Sequence, residues 1–416
     1  MLLYQTMPLT VLTDSDVRSL LLSLNRDDIV NLQHNLAEAL HDYSTGTQNA
    51  NQPQRISIQG KHGQTTLFMP ATTNTTTGMK IVSLVAPSTS SIASSRNSIT
   101  TQASASPVPS AESSTTSSRS TTPRGSLTLL DSVGTPLGFI NAEELTAFRT
   151  ALASTLLFSK RSRVHSITVF GAGKQAYWHI RLALLLRGSE IHHVNVINRS
   201  FTGAQPLMRE IYRSEEWAHL RNANSELRFS ALSGDYVEYN RLLKEHVRDA
   251  DVLFMCTPST SPLFPAEHLT SSEGRKKGRY ISLIGSYQPH MVELDPEVLK
   301  QAVAQEHKHH HRKHAEKGGV VVVDGLEACM KEAGEVIQAG LGSENLVEVG
   351  ELVMVRKAAM KDIEMGGEGE KGLKRWLEAG NVIYKSVGLG VMDLCVGKDL
   401  VMLAREKGIG ITIDDF

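Results

Sequence analysis

Apolar residues between positions 10 and 42 recur at helical spacing. "LTDSDVRSLL" offers Thr13 or Asp14 as an N-cap, and "IVNLQHNLAEALHDY" carries the same rhythm onward. The rhythm then shortens to two. In "RISIQGKHGQTTLFMPATTNTTTGMKIVSLVAP" apolar and polar side chains alternate around Gly60, Gly63 and Gly78, the pattern of hairpin strands. Residues 88–122 follow neither period. Ser and Thr dominate, Pro is scattered, and the few apolar groups cannot offset the entropy of ordering, so a disordered insertion is expected. It interrupts a domain, because "GSLTLLDSVGTPLGFI" resumes the strand pattern directly after it. "NAEELTAFRTALASTLLF" returns to helical spacing. Asn141 and Glu144 stand at capping-box separation, and Leu145, Phe148, Leu152 and Leu156 trace one apolar face that Arg149 borders.

From residue 165 the order is strand, helix, strand: "HSITVF", then "KQAYWHIRLALLLRG" closing on Gly188, then "HHVNVI", a βαβ unit. "DVLFMC", "RYISLIG" and "GVVVVDG" read as further strands, and "LKRWLEAGNVIYKSVGLGVMDLCVGKDLVMLAREKG" as a glycine turn followed by a long helix. There is no internal repeat. The alternation makes the fold class α/β.

Composition narrows the function classes. With 416 residues, 40% of them hydrophobic, the chain can bury two or three domain-sized cores. Lys and Arg (43) balance Asp and Glu (44), which gives no electrostatic bias toward nucleic acid or an acidic membrane surface. Three cysteines without CxxC spacing indicate neither a disulfide framework nor a zinc site, and a reducing compartment fits them. No signal peptide and no run of roughly twenty apolar residues is found, so the cytoplasm is the expected location.

Gly171, Gly173 and Ala176 form G-x-G-x-x-A between a predicted strand and a predicted helix, the context that a dinucleotide fingerprint requires. Gly171 permits the tight turn and Gly173 lets backbone approach a pyrophosphate. Ala176 lets the helix pack on the sheet, and the helix start, with Lys174 and Gln175, presents free N–H groups to the anion. The next strand ends in Asn198, Arg199 and Ser200, where an NAD-preferring enzyme presents a carboxylate to the ribose 2′-hydroxyl. An arginine flanked by amide and hydroxyl groups suits a 2′-phosphate instead, which favours NADP(H) and leaves NAD(H) possible. Cys256, Thr257 and Pro258 follow an apolar strand and are candidates to line the cofactor, the thiol as a packed, inert group. The tract "HKHHHRKH" lies among Lys and Arg without acidic or cysteine co-ligands, and no metal is assigned to it.

Taken in order, "PQRISI…LFMPA…GMKIV", "LTAFRTALAS", "VFGAGKQAYWHI…VINRS", "YISLIG…PHMVELDPEVL…VVVDGLEACMKEAGEV" and "VIYKSVGLGVMDL" resemble the ornithine cyclodeaminase/mu-crystallin family across nearly the whole chain outside the insertion. The resemblance implies a sheet-rich substrate and dimerisation domain, residues 1–158 with 385–416, and a Rossmann NAD(P)-binding domain, residues 159–384. It also implies a homodimer. Carried over by motif, Arg55 and Lys80 look like the substrate-carboxylate arginine and the active-site lysine. Arg149 looks like the arginine that serves both carboxylate and cofactor. Ser286, Ser386 and Lys385 look like cofactor-side contacts, and Thr122 like a threonine near the nicotinamide. Two departures stand out. Where true cyclodeaminases carry an acid two positions before Met-Pro and an aspartate after the "LIG" glycine, this chain has Leu67 and Tyr287, neither an obvious base at neutral pH. The expected function is therefore an NAD(P)H-dependent imine reductase or amino-acid dehydrogenase acting on a small cyclic imino acid, with Lys80 as proton donor. Ornithine cyclodeaminase and a non-catalytic, NADPH-dependent small-ligand binder are the alternatives.

Overall fold

The computed structural model describes residues 8–46, 52–61, 63–85, 123–304, 319–353 and 368–416. The Ser/Thr insertion with Thr122, and the histidine tract, lie outside the described residues.

Residues 14–45 form two helices rather than one continuous stretch. Thr13 caps α1 (Asp14–Leu22) by accepting from the Asp16 amide, and the Asp16 carboxylate returns a bond to the Thr13 amide. The chain breaks at Ser23–Asn25, and Asn25 restarts it by accepting from the amides of Asp27 and Asp28 at the head of α2 (Arg26–Thr45). α2 packs on the C-terminal helix Gly390–Lys407, and α1 lies under a seven-stranded sheet. Its strands are β1 (Leu9–Leu12), β2 (Ile56–Gln59), β3 (Gln64–Thr72), β4 (Thr76–Val85), β5 (Arg124–Asp131), β6 (Pro136–Asn141) and, last in the chain, β15 (Ile411–Ile413), in the spatial order β15-β1-β6-β5-β4-β3-β2. β2 to β6 form an antiparallel meander, as the alternating pattern predicts.

The second sheet has eight strands, all parallel, in the order β13-β12-β14-β11-β10-β7-β8-β9. They are β7 (Ser166–Phe170), β8 (His193–Asn198), β9 (Arg228–Ser233), β10 (Val252–Met255), β11 (Tyr280–Leu283), β12 (Val321–Val323), β13 (Leu346–Glu348) and β14 (Val382–Lys385). Strand order reverses between β7 and β10, the switch point outside which open α/β sheets bind their ligands. β14 corrects the reading of the tail as turn and helix only: "VIYK" is a central, fully buried strand between β11 and β12. Four apolar-rich residues are too few to carry a period, so neighbouring strands decide their state.

α3 (Ala142–Phe158) joins the two layers. Every residue except Glu143 is buried, not one face only, because α3 packs on β5, on α4 (Lys174–Arg187) and on the long C-terminal helix Gly390–Lys407 at once. The capping box expected at its start is half right. Asn141 accepts from the Glu143 amide, but Glu144 turns inward, where Oε2 accepts from Trp178 Nε1 at 2.7 Å. One apolar cluster therefore runs without interruption from the helices under the first sheet, through α3 and α4, to the second sheet. Among the described residues no helix is long and apolar enough to cross a membrane.

Candidate active site

A cavity of about 450 Å³ opens between the carboxyl ends of the second sheet and the inner face of the first. The turn between β7 and α4 forms one side. Gly171 has φ +102°, a conformation only glycine adopts without strain, and a Cβ there would stand 2.9 Å from the Cys256 carbonyl oxygen. Gly173 is the N-cap of α4 without a side-chain cap, and a Cβ on it would meet nothing within 4 Å. Open space beside glycine backbone, at the start of a fourteen-residue helix whose first amides have no intrahelical acceptor, fits a pyrophosphate. Ala176 is buried and lets α4 approach the sheet. Lys174 and Gln175 line the cavity. Burial works to lower the Lys174 ammonium, but hydrogen bonds to Glu144 and Glu143 outweigh it and leave its pKa raised; their oxygens lie 2.7 and 2.9 Å away.

The end of β8 stands outside the cavity wall. Asn198 Nδ2 donates to the Ser200 carbonyl at 2.9 Å, and Ser200 caps the helix Phe201–Arg213 through the Gly203 amide. Arg199 is exposed. Cys256 and Pro258 line the cavity. The Cys256 sulfur lies 3.8 Å from His179 Nδ1, but that nitrogen is 2.7 Å from the Gln175 carbonyl, so it carries a proton and offers the thiol no base. Burial pushes the thiol well up and His179 down to about 4.

Thr257, whose methyl lies against the Gly171 turn, and Ser286, both expected near the cofactor, make their hydrogen bonds to buried carboxylates. Glu293, fully buried, accepts from the Thr257 amide at 2.7 Å and hydroxyl at 3.2 Å with one oxygen, and from the amides of Gly285 and Ser286 at 2.6 and 3.2 Å with the other. It ties the loop after β10 to the loop after β11. Burial pushes its carboxyl up to about 7 against the pull of Lys385. The Ser286 hydroxyl donates to Glu335, and Lys385 is buried between Ser286 and Glu335, so neither side chain faces the cavity. Ser386 does line it, with its hydroxyl on Asp324.

The three cations singled out in the sequence converge on the opposite wall. Lys80 projects from β4, Arg149 from α3, and Arg55 immediately precedes β2. Asp393, in the first turn of the C-terminal helix, receives Lys80 Nζ at 2.9 Å and Arg149 Nε at 3.0 Å on the same oxygen. Its second oxygen is buried without a partner among the described residues. Burial brings Lys80 down to about 8, with Asp393 opposing the shift. Arg149 is pressed by Gly388, whose φ is +89° and whose Cβ would come within 2.9 Å of Nη2. Asp324 holds that turn by accepting from the amides of Val387 and Gly388. Arg55 is paired with Glu332, its Nε at 2.5 Å from the carboxylate. Leu67 and Tyr287, the two departures from the cyclodeaminase pattern, both line the cavity.

Asp393, Glu332, Glu293 and Asp324 went unassigned in the sequence. For Asp393 a signal exists. It is a lone acid in the apolar helical run "GVMDLCV", and a charge so placed must find a partner when buried. Glu332 lies in a polar stretch that carries no comparable mark.

The ornithine cyclodeaminase/mu-crystallin family model matches residues 108–349 of this chain. Over 288 residues the chain is 28% identical to the Delta(1)-pyrroline-2-carboxylate reductase of Bacillus cereus, covering 68% of this chain and 71% of that protein. Over 278 residues it is 28% identical to the ketimine reductase mu-crystallin of Rattus norvegicus, covering 66% and 68%. An archaeal alanine dehydrogenase dimer with bound NAD superposes with TM-score 0.64 at 20% identity, over 99% of this chain and 100% of that one. The Delta(1)-pyrroline-2-carboxylate reductase of Thermococcus litoralis, in complex with NADH and L-proline, does so with TM-score 0.64 at 19% identity, over 97% and 99%. These structures share the fold: a Rossmann-type domain with a second, sheet-rich unit.

Proposed function

The chain belongs to the ornithine cyclodeaminase/mu-crystallin family, and from that premise we propose that it is an NADPH-dependent reductase of 2-imino acids, with small cyclic ketimines such as pyrroline- and piperideine-2-carboxylate among its substrates. The observation that carries the reading is Lys80, buried on Asp393 beside Arg149, in a cavity whose other side is a glycine turn fit for a pyrophosphate.

A bound nicotinamide supplies the hydride that the imine carbon takes up. The chain's part is to hold the carboxylate, aim the C=N bond and deliver one proton, so that imino acid, NADPH and a proton give amino acid and NADP⁺. Arg149 and Arg55 bind the carboxylate as planar forks, Arg55 trading Glu332 for it. Lys80 gives its proton to the nitrogen. Its depressed pKa makes that donation easier while the ammonium form still exists at neutral pH. Asp393 keeps Lys80 charged and pointed. Residues 1–158 with 385–416 serve the substrate and residues 159–384 the cofactor.

Leu67 and Tyr287 argue against cyclodeamination, since no base stands at either place. Exposed Arg199, with Asn198 and Ser200, supports NADP(H) over NAD(H). The relatives named as pyrroline-2-carboxylate and ketimine reductases support the substrate class. A homodimer is part of the reading. Helices cover one face of the first sheet, while the other carries Ile56, Ile58, Met79 and Phe139, all exposed. The test is loss of NADPH absorbance with each cyclic ketimine, and a parallel assay with ornithine. Reduction of a ketimine supports the proposal. Proline and ammonia from ornithine without ketimine reduction would point to the cyclodeaminase, and no turnover with either to a binding protein.

A further inference from the structure

The inner face of the first sheet is a lattice of known register. Arg55 and Lys80 stand in one row with Met69, which pairs with Lys80 across β3 and β4. Two residues further along each strand, Leu67 pairs with Val82 and with Ser57; two residues beyond that, Thr65 pairs with Leu84 and with Gln59. Successive rows are roughly 7 Å apart, so the wall reaches about 13 Å from the cations. All of these residues line the cavity. Charge is confined to the first row; the next two hold Leu67, Val82 and Leu84, the latter pair buried, together with Ser57, Thr65 and Gln59, and the Thr65 hydroxyl is taken up by Gln59 at 3.0 Å.

The carboxylates do not change this picture. Among the described lining residues the acids are Glu143 and Glu332. Glu143 is 2.9 Å from Lys174, at the glycine turn. Glu332 pairs with Arg55 at the charged end, beside a second cavity that also touches Met69, Pro70 and Lys331. A substrate held by its carboxylate on Arg55 and Arg149, with its nitrogen at Lys80, has ahead of its side chain a wall that carries no charge and is apolar along Leu67, Val82 and Leu84.

We infer that the preferred substrates are 2-imino acids bearing an apolar side chain, branched or aromatic, which lies along Leu67, Val82 and Leu84. The inference rests on the reductase reading. An amine-bearing side chain would find no free acid along the strip, and a dicarboxylate no cation.

The experiment uses the full chain with NADPH and ketimines formed in place from methylamine and four 2-oxo acids: pyruvate, 4-methyl-2-oxopentanoate, phenylpyruvate and 2-oxoglutarate, with pyrroline-2-carboxylate alongside. A methylene in an apolar pocket is worth roughly tenfold or more in discrimination. The 4-methyl-2-oxopentanoate and phenylpyruvate imines should therefore exceed the pyruvate imine at least tenfold in kcat/KM, and the 2-oxoglutarate imine should be poorest. In Leu67→Glu that tenfold preference should collapse. Leu67→Gln, neutral and easily housed on a half-buried strand, should reduce it severalfold. Reduction of pyrroline-2-carboxylate with no preference for the apolar imines, or a preference for 2-oxoglutarate, overturns the inference and leaves the reductase reading standing. Preference that survives both Leu67 variants overturns the assignment to this wall. Failure of every imine overturns the reductase reading and the inference with it.

Discussion

At the scale of single residues, Lys80 carries the chemistry and Asp393 conditions it. If Lys80 is the proton donor, Lys80→Met should retain NADPH affinity, which belongs to the glycine turn, and lose ~10²–10⁴-fold in kcat, as removal of a general acid does. Stopped-flow and cofactor titration separate the two. The pH dependence follows from the sign of the shift. Burial lowers Lys80 to about 8, so the donor is protonated below that value and reduction should slow as pH rises through it. Asp393 works to raise the pKa. Asp393→Asn should therefore move the inflection to lower pH as well as reduce kcat. An inflection that stays where it is in the variant would show that Asp393 does not govern Lys80. Lys80 and Arg55 were singled out by the resemblance to the family, whereas the bond between Lys80 and Asp393, 313 positions apart, was not legible in the sequence.

At the scale of elements, two turns set the geometry. Gly388 has φ +89° and nearly touches the Arg149 guanidinium. Gly388→Ala combines a strained backbone with a collision at Nη2, so KM for the imino acid should rise at least tenfold. An unchanged KM would mean that Arg149 does not hold the carboxylate. The β8 end presents the cofactor question. Arg199→Ala should cost NADPH at least tenfold in affinity and leave NADH as it was, because only the 2′-phosphate needs the guanidinium. Equal losses for both cofactors would count against NADP(H). The β7–α4 unit itself was readable, since a strand, two glycines and an alanine before a helix form a local pattern. The buried strand β14 was not, because what makes "VIYK" a strand is its pairing with β11 and β12.

At the scale of the whole molecule, the two sheets share one core through α3, and the uncovered face of the first sheet is the surface through which copies of the chain are proposed to pair. Phe139 lies 44% exposed on that face, in register with Val11 and Thr128. Phe139→Asp would place a carboxylate in the middle of such an interface and should convert a dimer to monomer, read by light scattering after gel filtration. A monomeric wild type, or a variant that remains dimeric, defeats this arrangement.

Local physics settled what was read correctly from the residues alone. Helical spacing with Thr13 and Asn141 as caps, alternation in "RISI…VSLV", and the glycine turn before α4 each depend on neighbours within a few positions, so periodicity and backbone conformation are enough. Tertiary structure decided which buried charges meet. Asp393 with Lys80 and Arg149, Glu293 with the loops after β10 and β11, and Glu332 with Arg55 join segments far apart in the chain, and a charge's partner inside a low-dielectric core is chosen by packing, not by sequence distance. It also turned Ser286 and Lys385 away from the cavity and Glu144 into the core. Which face of a residue meets the cavity depends on strand register and on the elements packed behind it.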